Sequence, residues 1–174
     1  MAKVVLKLGD DVSTDIIYPG RYMATVLPSE TPQYAFADIV EFNTPLKAGE
    51  ILPGSMIVAG KNFGCGSSRE QAASCLKGPE LVIVAQHFAR IFLQNSINLG
   101  LRTIICPDLE AVLGDEMEVT NEKVLNKTSG KSFDIIPLPE ARQAIINAGG
   151  LIAFTRQRLL QQTQKDILNM DSVG

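Results

Sequence analysis

The chain has 174 residues, of which 16 are lysine or arginine and 19 are aspartate or glutamate, so its formal net charge is −3. At this length folding buries roughly 70% of the surface that the unfolded chain exposes, and an apolar content of 45% can supply a core without disulfide bonds. This composition excludes a disordered protein, and the slightly acidic charge without a basic run argues against a nucleic-acid partner. We expect one domain over residues 1–174.

The cysteines and the N-terminal segment indicate the compartment. Cys65, Cys75 and Cys106 are odd in number and form no CxxC pair, which argues against a disulfide framework and against a metal site on this chain. The N-terminal segment becomes polar after eight residues, unlike a signal peptide. No apolar run approaches the ~20 residues that cross a bilayer. The sequence therefore predicts a cytoplasmic protein that has no membrane partner.

The first part of the chain predicts one strand followed by a long loop. Val4–Gly9 is a run of β-branched and aliphatic residues that ends in an acidic turn, as a strand does. Five prolines between residues 19 and 53 exclude long helices, and only Tyr34–Phe42 is expected to form a short one. Irregular segments of this length in a compact domain tend to be functional.

Residues 56–106 alternate between apolar runs and helical patterns. The apolar runs have strand length and are Met56–Ala59, Leu81–Ala85 and Leu101–Cys106. The helical patterns between them run from Ser67 to Gly78 and, with Phe88, Ile91 and Phe92 on one face, to Gly100. This βαβαβ order predicts a parallel or mixed central sheet.

The remaining residues predict a small antiparallel meander and two helices. Segments 117–120, 123–126 and 132–137 are short and are separated by turns that contain Asn, Gly and Ser. Helices are predicted at Pro139–Ala148 and Leu151–Leu168, and residues from about 160 to 174 are expected to be a C-terminal helical extension. The elements together predict an α/β fold in which helices flank a mixed sheet with a small meander.

The most informative stretch is Asn62–Glu70, which reads NFGCGSSRE. Glycines let the backbone approach a ligand closely, and the N-terminus of the helix predicted to begin at Ser67 favours an anion. Arg69 adds a planar guanidinium that suits a carboxylate. The stretch therefore predicts a site for a carboxylate or a phosphate.

The same residues also have a structural interpretation. Ser67 and Glu70 have the spacing of a capping box, in which Ser67 caps the helix and Glu70 reaches back to it. Taken alone, this local pattern favours the cap over the anion site. Walker A, GxGxxG and GxSxG patterns do not occur, and His87 is the only histidine, which argues against a P-loop, a dinucleotide site and a Ser-His-Asp hydrolase.

Four ordered segments together resemble the small, swivelling subunits of the aconitase superfamily, and most closely the small subunits of 3-isopropylmalate dehydratase. Besides NFGCGSSRE, they are GDDVSTDIIYPGRY at residues 9–22, ARIFLQNSINLGL at 89–101 and INAGGL at 146–151. They span nearly the whole chain except its C-terminal end. The resemblance implies an aconitase-type swivelling β/β/α domain.

The resemblance also implies a hydro-lyase that works with a separate large subunit. In such enzymes the large subunit holds a [4Fe-4S] cluster, whose iron binds the substrate hydroxyl as a Lewis acid, while a serine of the small subunit moves the α proton. Three scattered cysteines and one histidine do not make a cluster site on this chain. The expected partners are the cluster-bearing large subunit and a small dicarboxylate substrate. A homo-oligomer of the isolated chain is left open.

Individual roles are implied by the same resemblance. Ser67 is the catalytic base, and Ser68 and Arg69 bind a substrate carboxylate. Asp15 either helps to hold the closed site or caps its loop, and Arg21 either faces the substrate or is solvated. A serine alkoxide is a strong base that needs stabilisation, and a helix N-terminus beside Arg69 would provide it.

The resemblance further implies that Tyr22, Met23, Ala24 and Thr25 form the loop that meets the variable group of the substrate. Ala24 is small and uncharged, which favours a branched alkyl group over a third carboxylate. The expected reaction is therefore the interconversion of 2- and 3-isopropylmalate in leucine biosynthesis. The alternatives are a related dehydratase of the dimethylmalate, homoaconitate or citrate type, and a non-catalytic anion-binding module of the same fold.

Overall fold

Within residues 2–171, seven strands form one sheet at the centre of the protein. The strands are β1 (Ala2–Lys7), β2 (Met56–Ala59), β3 (Val82–Ala85), β4 (Arg102–Ile105), β5 (Glu116–Val119), β6 (Lys123–Asn126) and β7 (Ser132–Asp134). Their order across the sheet is β4-β3-β2-β1-β5-β6-β7. The structure is a computed structural model that describes residues 2–171, with the side-chain environments of residues 2–165.

The sheet has a parallel half and an antiparallel half. Strands β1 to β4 are parallel neighbours, whereas β5, β6 and β7 are antiparallel and join the parallel half through β1. Ile136, which follows β7, donates its N–H to the carbonyl of Ile105 in β4 at 2.8 Å. This bridge curls the sheet and brings its two edges together. The predicted α/β class, with a mixed sheet and a small meander, is confirmed.

Both faces of the parallel half are covered. In β2, Ile57 and Ala59 belong to the core on the helical side of the sheet, while Met56 and Val58 belong to a second core that includes Met117 of the meander. A strand buried on both faces needs apolar side chains at every position. This burial explains why β2 and β3 are unbroken apolar runs in the sequence.

Six α-helices accompany the sheet within the described residues. They are α1 (Thr14–Ile17), α2 (Val40–Lys47), α3 (Glu70–Lys77), α4 (Arg90–Leu99), α5 (Glu140–Asn147) and α6 (Leu151–Asp171). The predicted C-terminal extension from about residue 160 continues α6 as far as Asp171. Its last three positions, 172–174, lie outside the described residues.

The helix predicted over Tyr34–Phe42 is wrong. Phe36 has a φ of +49°, a left-handed conformation that interrupts a helix, and its N–H donates to the carbonyl of Ile17 at 2.8 Å. Helix α2 begins later, at Val40, and continues through Pro45. A tertiary hydrogen bond to α1, rather than local propensity, therefore sets this boundary.

The helix predicted between β3 and β4 is confirmed, with a later start. Helix α4 begins at Arg90, and Phe88 precedes it, stacked on Phe92 with ring centroids 6.3 Å apart. Both rings contact Phe63 edge-on, and Phe63 belongs to the glycine-rich loop, residues 60–69 between β2 and α3. Ile91, predicted to share this face, is exposed. The aromatic cluster ties the glycine-rich loop to α4.

Thr103 in β4 carries the only buried side-chain oxygen or nitrogen without a hydrogen-bond partner in the part of the chain that the structure describes. Its exposed fraction is 6%. An unsatisfied buried hydroxyl is costly, and valine has a similar shape and suits strands. We expect Thr103→Val to raise the free energy of unfolding by about 1 kcal/mol, measured by denaturant titration.

Thr31→Val is the matched control for this substitution. The Thr31 hydroxyl is also buried, but it lies 3.0 Å from Oγ of Ser74. Removing it should lower the free energy of unfolding, because the Ser74 hydroxyl loses its partner. If Thr103→Val lowered the free energy as much as Thr31→Val, Thr103 would have a partner such as an enclosed water molecule.

Candidate active site

The glycine-rich loop lies against the segment that contains α1. Gly64 donates its N–H to the carbonyl of Val12 at 2.7 Å, and Thr14 donates its N–H to the carbonyl of Cys65 at 2.8 Å. Gly64 has a φ of 81°, and a Cβ there would lie 2.2 Å from the ring of Phe92, so only glycine fits. The first two motifs of the sequence are therefore one structural unit.

Ser67 lies at the surface where the loop meets α1. Its side chain is exposed, and its Oγ lies 3.2 Å from Oγ1 of Thr14. Ser68 is also exposed, and its carbonyl accepts a hydrogen bond from Nδ2 of Asn95 at 3.5 Å. Both serines are therefore accessible residues at the surface of the domain.

The predicted capping box is wrong. Helix α3 begins at Glu70, and its N-cap residue, Arg69, has an extended backbone and no side-chain cap bond. Gly66 has a φ of 94°, which interrupts the helical path and leaves Ser67 outside the helix. Among the described residues, no backbone N–H donates to Oγ of Ser67. The helix N-terminus therefore does not hold this hydroxyl as the sequence predicted.

Arg69 and Asp15 form an ion pair next to the loop. Nη1 of Arg69 donates to Oδ1 of Asp15 and, at 3.2 Å, to the carbonyl of Tyr18. The Arg69 side chain is 19% exposed and that of Asp15 is 63% exposed. The hydrogen bond from Arg69 lowers the pKa of Asp15, and the Arg69 charge and a backbone N–H of Gly20 act in the same direction. The carboxylate therefore stays ionised and holds the guanidinium in place.

Both interpretations of Asp15 have a contact in the structure, since Asp15 pairs with Arg69 and accepts a hydrogen bond from the backbone N–H of Gly20 in its own loop. Ser13 caps helix α1, since its Oγ accepts a hydrogen bond from the N–H of Ile16 at 3.3 Å. A Cβ at Gly20 would lie 3.3 Å from Oδ1 of Asp15 and 3.4 Å from Nη2 of Arg69. Asp15 thus joins the glycine-rich loop to the turn at Gly20 and does not cap α1.

Arg21 is held by a different carboxylate. Its guanidinium donates to both oxygens of Asp38, with 3.1 Å between Nη1 and Oδ2, and this hydrogen bonding lowers the pKa of Asp38. The guanidinium carbon lies 4.7 Å from the ring centroid of Tyr22, which in turn stacks on Tyr34 at 4.2 Å. Arg21 is half-exposed, so the structure places a second fixed cation at the surface.

The predicted specificity loop forms a tight turn. Thr25 donates its N–H to the carbonyl of Tyr22 at 2.9 Å. The buried hydroxyl of Tyr18 donates to the carbonyls of Tyr22 and Thr25 at 3.1 and 3.2 Å. Met23 and Ala24 are exposed at the tip of the turn. The loop is therefore anchored from below and presents two side chains outward.

The described residues do not fit a [4Fe-4S] cluster. Among the side chains of residues 2–165, no three of His, Cys, Asp or Glu lie together as a metal site requires. Cys75 lies in the helical-side core and Cys106 in the meander-side core, and burial raises the pKa of the Cys106 thiol to about 11. Cys65 is half-buried in the glycine-rich loop. A cluster needs thiolate ligands that converge, and these thiols are apart.

Known proteins resemble the chain over most of its length. A family model described as the aconitase C-terminal domain matches residues 24–109. The 3-isopropylmalate dehydratase small subunit 1 of Archaeoglobus fulgidus is 41% identical over 86% of this chain and 93% of its own length. The chain belongs to the family of 3-isopropylmalate dehydratase small subunits.

Other members of this family are also similar to the chain in sequence and in structure. The small subunit of Lachnospira eligens is 45% identical over 86% of this chain and 90% of its own. The crystal structure of 3-isopropylmalate dehydratase from Methanocaldococcus jannaschii superposes with a TM-score of 0.84 at 38% identity, covering 94% of this chain and 97% of that one. The family predicted from the four motifs is confirmed.

In residues 2–171 no helix has the length and apolar character to span a membrane.

The sequence did not lead us to predict two side chains that contact the candidate site residues, Thr14 and Asp38. Thr14 lies directly before Asp15 in the first motif, so the resemblance marked its segment without assigning it a contact. Asp38 is 17 residues from Arg21 along the chain, and no local pattern links the two. Thr14 could have been predicted because it lies next to Asp15 in the first motif. No sequence pattern predicts that Asp38 pairs with Arg21.

Proposed function

We propose that this chain is the small subunit of a hydro-lyase that interconverts 2- and 3-isopropylmalate by dehydration and rehydration, in leucine biosynthesis. The observation that carries the proposal is the exposed Ser67 hydroxyl beside the Arg69–Asp15 ion pair, in a chain of this family. We take residues 1–174 as one swivelling domain that works in the cytoplasm.

In this proposal Ser67 moves the proton. Its deprotonated Oγ takes a proton from the carbon next to the one that bears the hydroxyl. The electron pair of that C–H bond becomes the C=C bond, and hydroxide leaves the neighbouring carbon. Rehydration in the other orientation returns the proton and gives the second isomer. The exposure of Ser67 supports this role, since a proton acceptor must reach the substrate.

Two guanidinium groups suit a dicarboxylate. Arg69, with the hydroxyl of Ser68 nearby in sequence, binds one carboxylate, and Arg21 binds the other. Asp15 and Asp38 orient these cations, because a guanidinium fixed by an ion pair presents its remaining N–H groups in a set direction. A substrate carboxylate therefore meets donors that are already arranged.

The partner in this proposal is the large subunit. The site is open, and a reaction that stabilises charge needs water to be excluded. Ile16 of α1 and Val26 and Leu27, which follow the specificity loop, are exposed apolar side chains on the elements that carry the site. Such side chains suit a surface that a second protein covers. A [4Fe-4S] cluster on the large subunit would supply a Lewis-acid iron for the substrate hydroxyl.

Reconstitution with the large subunit tests the function. We expect this chain alone to show neither iron-sulfur absorbance nor dehydratase activity, because its described cysteines are apart and its site is open. Both should appear after mixing with the large subunit under anaerobic conditions. Iron bound stoichiometrically to the isolated chain would contradict the proposal.

The same complex distinguishes the alternative substrates. Activity should be highest on isopropylmalate and lower on dimethylmalate, homoaconitate and citrate. A complex that assembles and carries a cluster but turns over none of these acids would indicate a non-catalytic anion-binding module. Size-exclusion chromatography of the isolated chain tests whether it forms a homo-oligomer.

A further inference from the structure

Thr14 is a buried residue whose hydroxyl pairs with that of Ser67. It is 2% exposed, and its Oγ1 lies 3.2 Å from Oγ of Ser67. Among residues 2–165, Ser67 is the one hydrogen-bond partner of this side chain. A polar group that is buried this deeply is expected to be paired, so the contact with Ser67 satisfies Thr14.

The backbone holds Thr14 in this place from two directions. Its N–H donates to the carbonyl of Cys65 at 2.8 Å, and its carbonyl accepts from the N–H of Tyr18 at 2.9 Å. A Cβ at Gly66 would lie 3.5 Å from Oγ1 of Thr14, so the bare glycine backbone runs directly beside the hydroxyl. These contacts fix the backbone of Thr14, from which its hydroxyl reaches Ser67.

Two other groups of this region make no hydrogen bond to Oγ of Ser67. Helix α3 begins only at Glu70, so its N-terminus does not cap Ser67. Nη1 of Arg69 donates to Asp15 and to the carbonyl of Tyr18. Among residues 2–165, the hydroxyl of Thr14 is the group that lies within hydrogen-bond distance of Oγ of Ser67.

We propose that Thr14 is a positioning residue that donates its O–H to Oγ of Ser67 and stabilises the deprotonated form that takes the substrate proton. This inference rests on the proposed role of Ser67 as the base. An alkoxide has no proton to donate, so Thr14 must be the donor in that state, and a hydrogen bond to a charged acceptor is stronger than one between neutral groups. Thr14 keeps its own proton throughout, while the substrate proton moves to Ser67.

The test uses the complex of this chain with its large subunit and three variants of Thr14. Thr14→Val and Thr14→Ala remove the hydroxyl, and Thr14→Ser keeps it. We expect both hydroxyl-less variants to lower kcat about 10- to 100-fold with little change in KM, and Thr14→Ser to stay near the wild-type rate. Thermal unfolding of each variant identifies any that fails to fold, and the alanine variant, which adds no bulk, then replaces the valine variant.

A substrate isotope effect separates proton transfer from a general loss of structure. With 2-isopropylmalate deuterated at C3, the hydroxyl-less variants should show a larger isotope effect on kcat than the wild type, because proton transfer becomes more rate-limiting. Thr103→Val, which removes a buried threonine hydroxyl far from the site, should change neither kcat nor the isotope effect.

Three outcomes would overturn the proposal in distinguishable ways. Wild-type kcat in Thr14→Val or Thr14→Ala would show that the hydroxyl does not assist Ser67. An equal loss in Thr14→Ser, or a loss with an unchanged isotope effect, would show a packing role instead. An inactive wild-type complex that carries its cluster would overturn the proposed function itself, and with it the role of Thr14.

Discussion

Replacing Ser67 by alanine is expected to lower kcat of the reconstituted complex by at least ~10²-fold, because the group that accepts the substrate proton is removed. The variant chain should still fold, with a modest loss of stability because the buried hydroxyl of Thr14 loses its partner. Ser67 is exposed and lies outside α3, so the loss of a helix cap, about 1 kcal/mol, does not apply. The measurement is kcat on isopropylmalate together with the unfolding temperature of the variant chain.

The control for this substitution is Ser129→Ala. Ser129 is an exposed serine in the turn between β6 and β7, and its hydrogen bonds are made within that turn. It should keep the wild-type rate in the complex. If Ser67→Ala turned over isopropylmalate as fast as Ser129→Ala, another group would have to move the proton, and the role assigned to Thr14 would also be lost.

Ala24→Arg is expected to change which substrate the complex prefers. Ala24 is exposed at the tip of a turn that Tyr18 anchors, so a longer side chain can project from it without disturbing the core. Its charge would be costly to desolvate beside an isopropyl group, and it would pair with a carboxylate in the same place. One such pair is expected to move the ratio of the two kcat/KM values by about 30- to 150-fold.

The measurement is kcat/KM on isopropylmalate and on homoaconitate or citrate, before and after the substitution. Ala141→Arg is the control. Ala141 is an exposed residue of α5, so this substitution adds the same charge on a different element. An unchanged ratio in Ala24→Arg would show that position 24 does not face the variable group. The preference for isopropylmalate would then depend on family membership alone.

Ser67→Ala and Ala24→Arg change two different parts of the proposed active site. Ser67 belongs to the glycine-rich loop, and Ala24 belongs to the turn that follows Arg21. The link between them is the ion pair of Arg69 with Asp15 and the close approach of Gly20 to that pair. Losses in kcat from Ser67 and shifts in substrate preference from Ala24 should therefore be largely independent, because the residues share no hydrogen bond.

Local sequence patterns were sufficient to predict the strands and the family. The run Met56–Ala59 is apolar at every position because both faces of β2 are buried, and burial of that kind is visible in the residues themselves. The left-handed φ of Gly64 and the lack of room for a Cβ there likewise require a residue type that the sequence displays. Both features restrict the residue type at a given position, so they are visible in the sequence even though the contacts that cause them come from distant segments.

The surroundings of the site residues depended on contacts between distant segments. The sequence alone predicted Ser67 as a helix cap, but tertiary packing places its hydroxyl against Thr14, 53 positions away in the chain. Arg69 pairs in the same way with Asp15, 54 positions away, and Arg21 pairs with Asp38. Local propensity does not determine which of several polar side chains meet, because that choice depends on how α1, the glycine-rich loop and the turn at Gly20 pack together.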